Sequence, residues 1–347
     1  MGANSKHSNK GKKTYVDIYS IKEKKSRKKY IGKIFSILFF AIIGIIGSGM
    51  IYVYNVINSF NYDDLSNSND ASEATEDQNS NDKIDNDGDI QTDNMILNVL
   101  LLGIDGTSKD DKGRSDSILV TSLDLRNKKI KITSIMRDTW VKIPGYNSDR
   151  INSAYSLGGP KLTIDTIERN LGIMIDRYVA VNFEEFSKVV DNLGGIDIEL
   201  TASEVSYINS HASDKQKLKG SGMKHLTGSQ ALQHARNRDS SGSDYDRTQR
   251  QRNVIVAGIN KLKEANLLQI TKMVSDIAPM VTTNLKTSEI TKLSKNALTY
   301  LNFETDQFRI PTNDNVKSET IDHKMVLVIS DLNKAKKDLN KFIYERE

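Results

Sequence analysis

Residues 34–62 carry no charged side chain, and they separate a strongly basic block from a strongly acidic one. This interruption constrains the chain more than any other feature, because it divides the protein between different solvents. Ile34 to Ile57 is an apolar run of 24 residues, and a helix needs about 20 to cross a bilayer core. Tyr30 on one side, and Tyr52 and Tyr54 on the other, stand where interfacial aromatics belong. Residues 1–33 hold eleven Lys/Arg against Asp17 and Glu23, a balance of +9. Such an excess keeps the N-terminus in the cytoplasm and sends the bulk of the chain outside. A cleaved signal peptide is the alternative, but the run is long and no small-x-small cleavage site closes it.

Residues 63–94 hold eleven Asp/Glu against Lys83, with almost no aliphatic side chains. A segment of this kind buries too little apolar surface to offset its ordering entropy. The predicted organisation is therefore a basic cytoplasmic arm at 1–33, a transmembrane helix at 34–57, an acidic disordered linker at 58–94 and an extracellular domain at 95–347. Asp85-Asn86-Asp87-Gly88-Asp89 is similar to part of a calcium loop but lacks its glutamate and flanking helices. The basic arm does not imply nucleic acid, since topology and anionic lipid account for it. With no cysteine, the chain has neither a disulfide framework nor thiolate chemistry.

From Met95 onward short aliphatic runs alternate with helical patterns. Ile96–Leu102, Ser117–Leu123 and Ile130–Ile135 read as strands, with Asn127-Lys128-Lys129 as a hairpin turn. Further strands are predicted at 177–182, 196–200, 308–310 and 325–329. Helices are predicted near 160–170, 183–192, 253–262, 267–275, 287–301 and 330–344. The mixture predicts an α/β or α+β domain in which helices flank a central mixed sheet.

Five polar segments stand at the ends of these runs. Asp105 follows the first strand after Gly103, and Asp116 opens the second, with Arg114 two residues earlier. Alternation puts Arg114 and Asp116 on one side of an extended chain. If the two strands are neighbours, Asp105 and Asp116 approach one ion; otherwise they are ordinary turn carboxylates. Arg137 and Asp138 follow the third strand, and Arg236 and Arg238 close a helical run. Arg247, Arg250 and Gln251 stand at i, i+3 and i+4, sharing one face of the next helix. Arginines in a first turn oppose the helix dipole, a cost that an anionic ligand offsets. Carboxylates suit a hard divalent cation and guanidinium forks suit phosphate, so the set points to a phosphorylated ligand, above all a pyrophosphate. His234 has no Ser or Cys partner in reach of the pattern, which argues against a hydrolase triad. Gly158-Gly159-Pro160 and Gly194-Gly195 read as turns.

Taken in order, these stretches resemble the LytR-CpsA-Psr family of bacterial cell-envelope proteins. The resemblance rests on Asn98 to Asp105, Arg114 to Ser117, Ser134 to Thr139 with Ile143-Pro144-Gly145, and Ile151 to Tyr155 with Gly158-Gly159. Val190 to Ile196, Leu226 to Leu232, Ala235 to Arg238 and Asp246 to Gln251 complete it. It implies a phosphotransferase that moves a glycopolymer, of teichoic acid or capsular polysaccharide type, from undecaprenyl pyrophosphate to peptidoglycan through a phosphodiester. It further implies that Asp105 and Asp116 hold Mg²⁺ or Mn²⁺. Arg114, Arg137, Arg236, Arg238, Arg247 and Gln251 would hold the pyrophosphate, and Arg137, Arg236, Arg238 and Arg247 would act in catalysis. The chain departs from the family pattern at Met136, commonly Pro, and at Arg150, commonly Lys. A polyprenyl-pyrophosphate hydrolase and a membrane-tethered regulator without turnover are the competing readings.

Overall fold

A computed structural model of the chain describes residues 59–65, 93–106, 113–238 and 244–345. All of these fall within one unit, Val56–Glu347. The predicted transmembrane helix at 34–57, and most of the acidic segment, lie outside the described residues. Among the described residues no helix is long and apolar enough to cross a membrane.

In chain order the first elements are β1 (Asn61–Tyr62), β2 (Ile96–Ile104), β3 (Ser115–Asp124), β4 (Lys129–Ile135), β5 (Trp140–Val141) and β6 (Asp149–Arg150). Helix α1 (Ser153–Leu171), β7 (Arg177–Asn182), α2 (Phe183–Asn192), β8 (Ile196–Leu200) and α3 (Ala202–Ser210) follow. Next come β9 (Gly222–Leu226), α4 (Gly228–Arg236), α5 (Asp244–Lys263), α6 (Leu267–Ile277) and β10 (Thr282–Thr283). The chain ends with α7 (Thr287–Lys295), α8 (Ala297–Tyr300), β11 (Glu304–Ile310), β12 (Val316–Ile321), β13 (Lys324–Ile329) and α9 (Leu332–Tyr344).

Seven strands form the central sheet in the order β1-β10-β7-β2-β3-β4-β11. The β2–β3–β4 meander is antiparallel, whereas β7 and β11 join it in parallel on either side. The expected mixed sheet flanked by helices is therefore present. Two details differ from the sequence reading. Asn61–Tyr62, predicted to lie in a linker at 58–94, instead pairs with β10 as an edge strand. The buried Tyr178 hydroxyl also donates to Asp63, which ties this segment to the sheet. The predicted helix at 287–301 breaks into α7 and α8 at Asn296.

One face of the sheet is sealed. Leu100, Leu102, Ile118 and Val120 pack there against Ile167 and Leu171 of α1 and Leu339 and Ile343 of α9. On the other face, Leu119, Ile130 and Ile132 meet Ile255, Val256 and Ile259 of α5. A second cluster joins α2, α3, α4 and α5 to β8 and β9 through Val190, Ile198, Ile208, Ala231 and Val254.

The helices around the site start where short motifs satisfy their free N–H groups. Asn182 with Glu185, Thr201 with Glu204 and Thr227 with Gln230 form reciprocal capping boxes on α2, α3 and α4. At the start of α4, the Gly228 N–H donates to Asp191 Oδ1 at 2.7 Å. A Cβ on Gly228 would fall 1.9 Å from the Ser187 carbonyl oxygen, a main-chain atom of α2. Gly228→Ala is therefore expected to cost about 3 kcal/mol, the upper end of overpacking penalties. The thermal midpoint should fall on the order of 10 °C; an unchanged midpoint would mean that α2 and α4 yield freely.

Candidate active site

Between the second sheet face and helices α2, α4 and α5 lies a cavity of about 770 Å³. Its walls are apolar: Leu101 and Val181 from the sheet, Phe186 from α2, Leu232 from α4 and Val254 from α5. The alternation along β2 shows how it is built. Every second residue of Ile-Leu-Asn-Val-Leu-Leu-Leu-Gly-Ile is buried against the helices of the sealed face, and those between are only half-buried. All but Asn98 and Gly103 are aliphatic, so the half-buried side presents an oily surface to the cavity.

Polar groups collect along the same lining: Asp116, Ser117, Arg236, Arg238, Arg247 and Gln251. Asp116 reaches it through a break in the β2–β3 ladder. Gly103 faces Ser117 and Ile104 faces Ser115, which leaves Asp116 as an extra, bulged residue. A bulge cancels the usual alternation, so Asp116 and Ser117, though consecutive, both line the cavity. Ser117 Oγ donates to Gln251 Oε1 at 3.2 Å, tying β3 to α5.

Arg137 joins from the end of β4 by donating to Asp116 Oδ1. Behind it, Asp138 lies 3.4 Å from Arg137 Nε and 3.3 Å from Arg150 Nε. Burial would lower the affinity of Arg137 for its proton, but Asp116 and Asp138 outweigh it and raise the pKa. Both departures from the family pattern have a local use here. The Met136 N–H donates to the Ile310 carbonyl at 2.9 Å, a bond proline cannot make. Arg150 donates through Nε and Nη2 to the Met325 carbonyl, a forked contact that lysine would lose.

Arg247 is buried in the first turns of α5, where Asp244 lies 2.8 Å away. Its pKa is pushed down to about 10, first by burial and then by repulsion from Arg137 and Arg238, partly offset by Asp244. The group remains charged at neutral pH, in a neighbourhood with an excess of cations. Arg247 Nε and Arg137 Nε are both buried without a hydrogen-bond partner. Such donors are costly unless something accepts from them. Arg236 is exposed but held in place, with its guanidinium carbon 4.9 Å from the centre of the Phe183 ring. The arrangement suits an anion with several oxygens at the polar end and an apolar chain in the cavity.

Not every expected residue meets here. Asp105, Arg114 and Arg137 do not line the cavity, and Arg137 reaches it only through its contact with Asp116. The Arg114 N–H donates to Asp105 Oδ1, and the Asp105 N–H donates back to the Arg114 carbonyl at 3.1 Å. Both side chains are exposed; the alternation that was to align Arg114 with Asp116 ends at the bulge. Arg250 turns away from Arg247 and Gln251, against the expectation of one shared face. Its Nε donates to Glu204 Oε1 at 2.7 Å and its Nη1 to the Asn237 carbonyl at 2.8 Å. A step of three residues rotates about 60° short of a full helical turn, while four residues overshoot by about 40°. The small difference leaves Arg250 facing α3 and α4. His234 is buried, and burial lowers its pKa to about 4 against the opposing pull of Glu204. Phe183 and Glu204 carry no sequence signal that marks them as parts of the site.

A divalent cation such as Mg²⁺ requires a shell of oxygen donors. No group of three or more His, Asp or Glu side chains that could hold a metal occurs among the described residues. Two carboxylates are nevertheless a usual protein contribution for Mg²⁺, which takes its other oxygens from phosphate and water. Asp105, directly after β2, and Asp116, at the start of β3, would supply two such carboxylates.

The arginines Arg236, Arg238 and Arg247 thus cluster at the polar end of an apolar cavity. The chain matches the LytR-CpsA-Psr family over residues 61–341 and belongs to it. Among its relatives is the polyisoprenyl-teichoic acid–peptidoglycan teichoic acid transferase TagV of Bacillus subtilis. That protein is 33% identical over 271 residues, covering 76% of this chain and 66% of the relative. The corresponding TagU of Bacillus mycoides is 34% identical, covering 75% of this chain and 83% of its own length. The crystal structure of B. subtilis TagV superposes with a TM-score of 0.60 at 30% identity, covering 73% of this chain and 99% of that one. A structure of the family protein YwtF (TagT) with bound octaprenyl pyrophosphate gives a TM-score of 0.57 at 25% identity, with coverages of 73% and 93%.

Proposed function

We propose that this protein transfers a phosphate-linked glycopolymer, of teichoic acid or capsular type, from undecaprenyl pyrophosphate to a sugar hydroxyl of peptidoglycan. The observation that carries this reading is the cluster of Arg236, Arg238 and Arg247 at one end of an apolar cavity of about 770 Å³, with the buried Arg247 Nε–H lacking a hydrogen-bond acceptor. The names of the relatives and the octaprenyl pyrophosphate bound to the related protein support it.

In this reading Arg137, Arg236, Arg238 and Arg247 hold the diphosphate, with Gln251 helping from one turn further along α5. The acceptor oxygen forms a bond to the phosphorus that bears the polymer, and the bond to the bridging oxygen breaks. Undecaprenyl phosphate leaves, and the acceptor proton passes to a base. Charge builds on the bridging and peripheral oxygens, where fixed guanidinium groups stabilise it without reorganising. Asp105 and Asp116 would hold Mg²⁺ or Mn²⁺, which neutralises phosphate charge when bound.

Supplying purified protein with a labelled lipid-linked polymer and peptidoglycan tests the reaction. Label joined to the wall material supports transfer. Soluble polymer phosphate alone would make the protein a hydrolase, and no turnover with tight donor binding would make it a regulator.

The same proposal places the protein in the cell membrane with residues 1–33 in the cytoplasm. The basic block beside the uncharged 34–57 run supports this topology. Protease added to intact, wall-stripped cells is expected to digest the region from residue 63 onward. Protection of that region would overturn the topology.

A further inference from the structure

Two arginines of the site, Arg236 and Arg238, flank a residue with no exposure at all, Asn237. At Asn237 the α4 helix gives way to extended backbone, with φ −60° and ψ 124°. Residues two apart in extended chain project to the same side, and Arg236 and Arg238 accordingly both line the cavity. Their direction is therefore set by how the main chain at Asn237 is held.

The Asn237 carbonyl accepts from Arg250 Nη1 at 2.8 Å, while Arg250 Nε donates to Glu204 Oε1 at 2.7 Å. Arg250 is 6% exposed and Glu204 9%. The two oxygens of Glu204 divide the work. Oε1 takes Arg250, and Oε2 accepts from the Thr201 N–H at 2.9 Å and Thr201 Oγ1 at 3.0 Å, closing the α3 capping box. His234 Nδ1 is 3.9 Å from Glu204 Oε1, and burial keeps that ring neutral down to about pH 4, so it does not compete for the carboxylate. A buried ion pair contributes little net stability compared with apolar groups of the same size. What the pair supplies that apolar groups cannot is a directed bond to one main-chain carbonyl.

We propose that Arg250 and Glu204 are positioning residues, which fix the Arg236-Asn237-Arg238 segment so that both flanking guanidinium groups meet the phosphate. Helix α5 then serves the site on two sides: Arg247 and Gln251 contact the ligand, while Arg250 sets the geometry of the segment opposite. The proposal rests on the pyrophosphate reading of the cavity.

Arg250→Lys tests it, because a single ammonium keeps the charge beside Glu204 but cannot hold both directed bonds. Small misplacements of substrate-holding groups cost rate, so transfer is expected to fall about ten- to a hundredfold. Loss of a directed bond leaves the buried Asn237 carbonyl unsatisfied, so the thermal midpoint should fall by roughly 2–12 °C with the domain still folded. Combining Arg250→Lys with Arg238→Ala should give a loss at least threefold smaller than the product of the two single losses, because contacts that act through one another are not additive. Glu204→Gln keeps the shape but leaves Arg250 buried without a counter-charge, so it should lower the midpoint further as well as the rate; its loss combined with Arg238→Ala should again fall short of the product, which decides the matter should Arg250→Lys fail to fold. Normal transfer by either variant, or fully multiplicative losses, would overturn the proposal while leaving the phosphate site intact. Normal transfer by Arg238→Ala alone would instead remove the phosphate site and this inference with it.

Discussion

Replacing Arg238 or Arg247 by alanine is expected to slow polymer transfer by a hundredfold or more while leaving the fold standing. A fixed donor aimed at developing negative charge is worth about 2.7–4 kcal/mol in other enzymes, equivalent to roughly a hundred- to a thousandfold in rate. The stability arm separates function from structure. Arg247 is buried and repelled by Arg137 and Arg238, a strain that Asp244 offsets only in part, so its removal relieves repulsion as well as breaking that pair. Its thermal midpoint should stay level or rise, the trade expected of groups held for activity rather than stability. Lysine at either position should restore only part of the rate, since it keeps the charge and loses the fork. A lowered midpoint with near-normal transfer would make these ordinary helix-end arginines and leave the site without support.

The second large effect concerns the carboxylates. Asp116→Asn is expected to reduce transfer by about a hundredfold or more, comparable to losing one electrostatic contact in the transition state, and excess chelator should reproduce the loss. Asp116 also pairs with Arg137, so this variant alone mixes two roles. Asp105 resolves them, because among the described residues it makes no ion pair, and its carboxylate accepts from the Arg114 main chain. Mn²⁺ binding in the presence of inorganic pyrophosphate, followed by electron paramagnetic resonance, should weaken in both Asp105→Asn and Asp116→Asn. Undiminished Mn²⁺ binding by the double variant, or full transfer in chelator, would end the metal assignment.

Much of this site was legible without coordinates. The four arginines of the two helical segments stand in a short stretch, and Arg247 and Arg250, in the first turns of their helix, oppose its dipole. That combination identifies anion chemistry from residue types alone, and the ordered motifs identify the family. The strands of the meander were legible because their aliphatic runs end at Gly, Asp and Asn-Lys-Lys. Other elements were not. Residues 61–62 follow an uncharged run and precede an acidic one, and nothing local announces that they complete a sheet edge beside β10. The β12–β13 hairpin likewise shows its use only in space, where the Leu327 N–H donates to the Asp138 carbonyl behind Arg137 at 2.9 Å.

The sequence by itself determined the charge inventory, the periodicity of the main elements and the family to which the chain belongs. These depend on the identity and spacing of nearby residues, which local physics reads directly. Tertiary structure decided which of those charges meet. A single bulged residue turned Asp116 towards the cavity and left Arg114 outside it. A rotation of one helical step sent Arg250 to Glu204 and the Asn237 carbonyl instead of to the ligand. An aliphatic strand that would read as buried on both faces became, on one of them, the wall of a cavity. Each of these outcomes depends on a contact between segments far apart in the chain, such as the 46 residues between Glu204 and Arg250. Hydrophobic patterning records that a side chain is apolar, but only the packing of α2, α4 and α5 over the sheet determines whether it meets another side chain or open space.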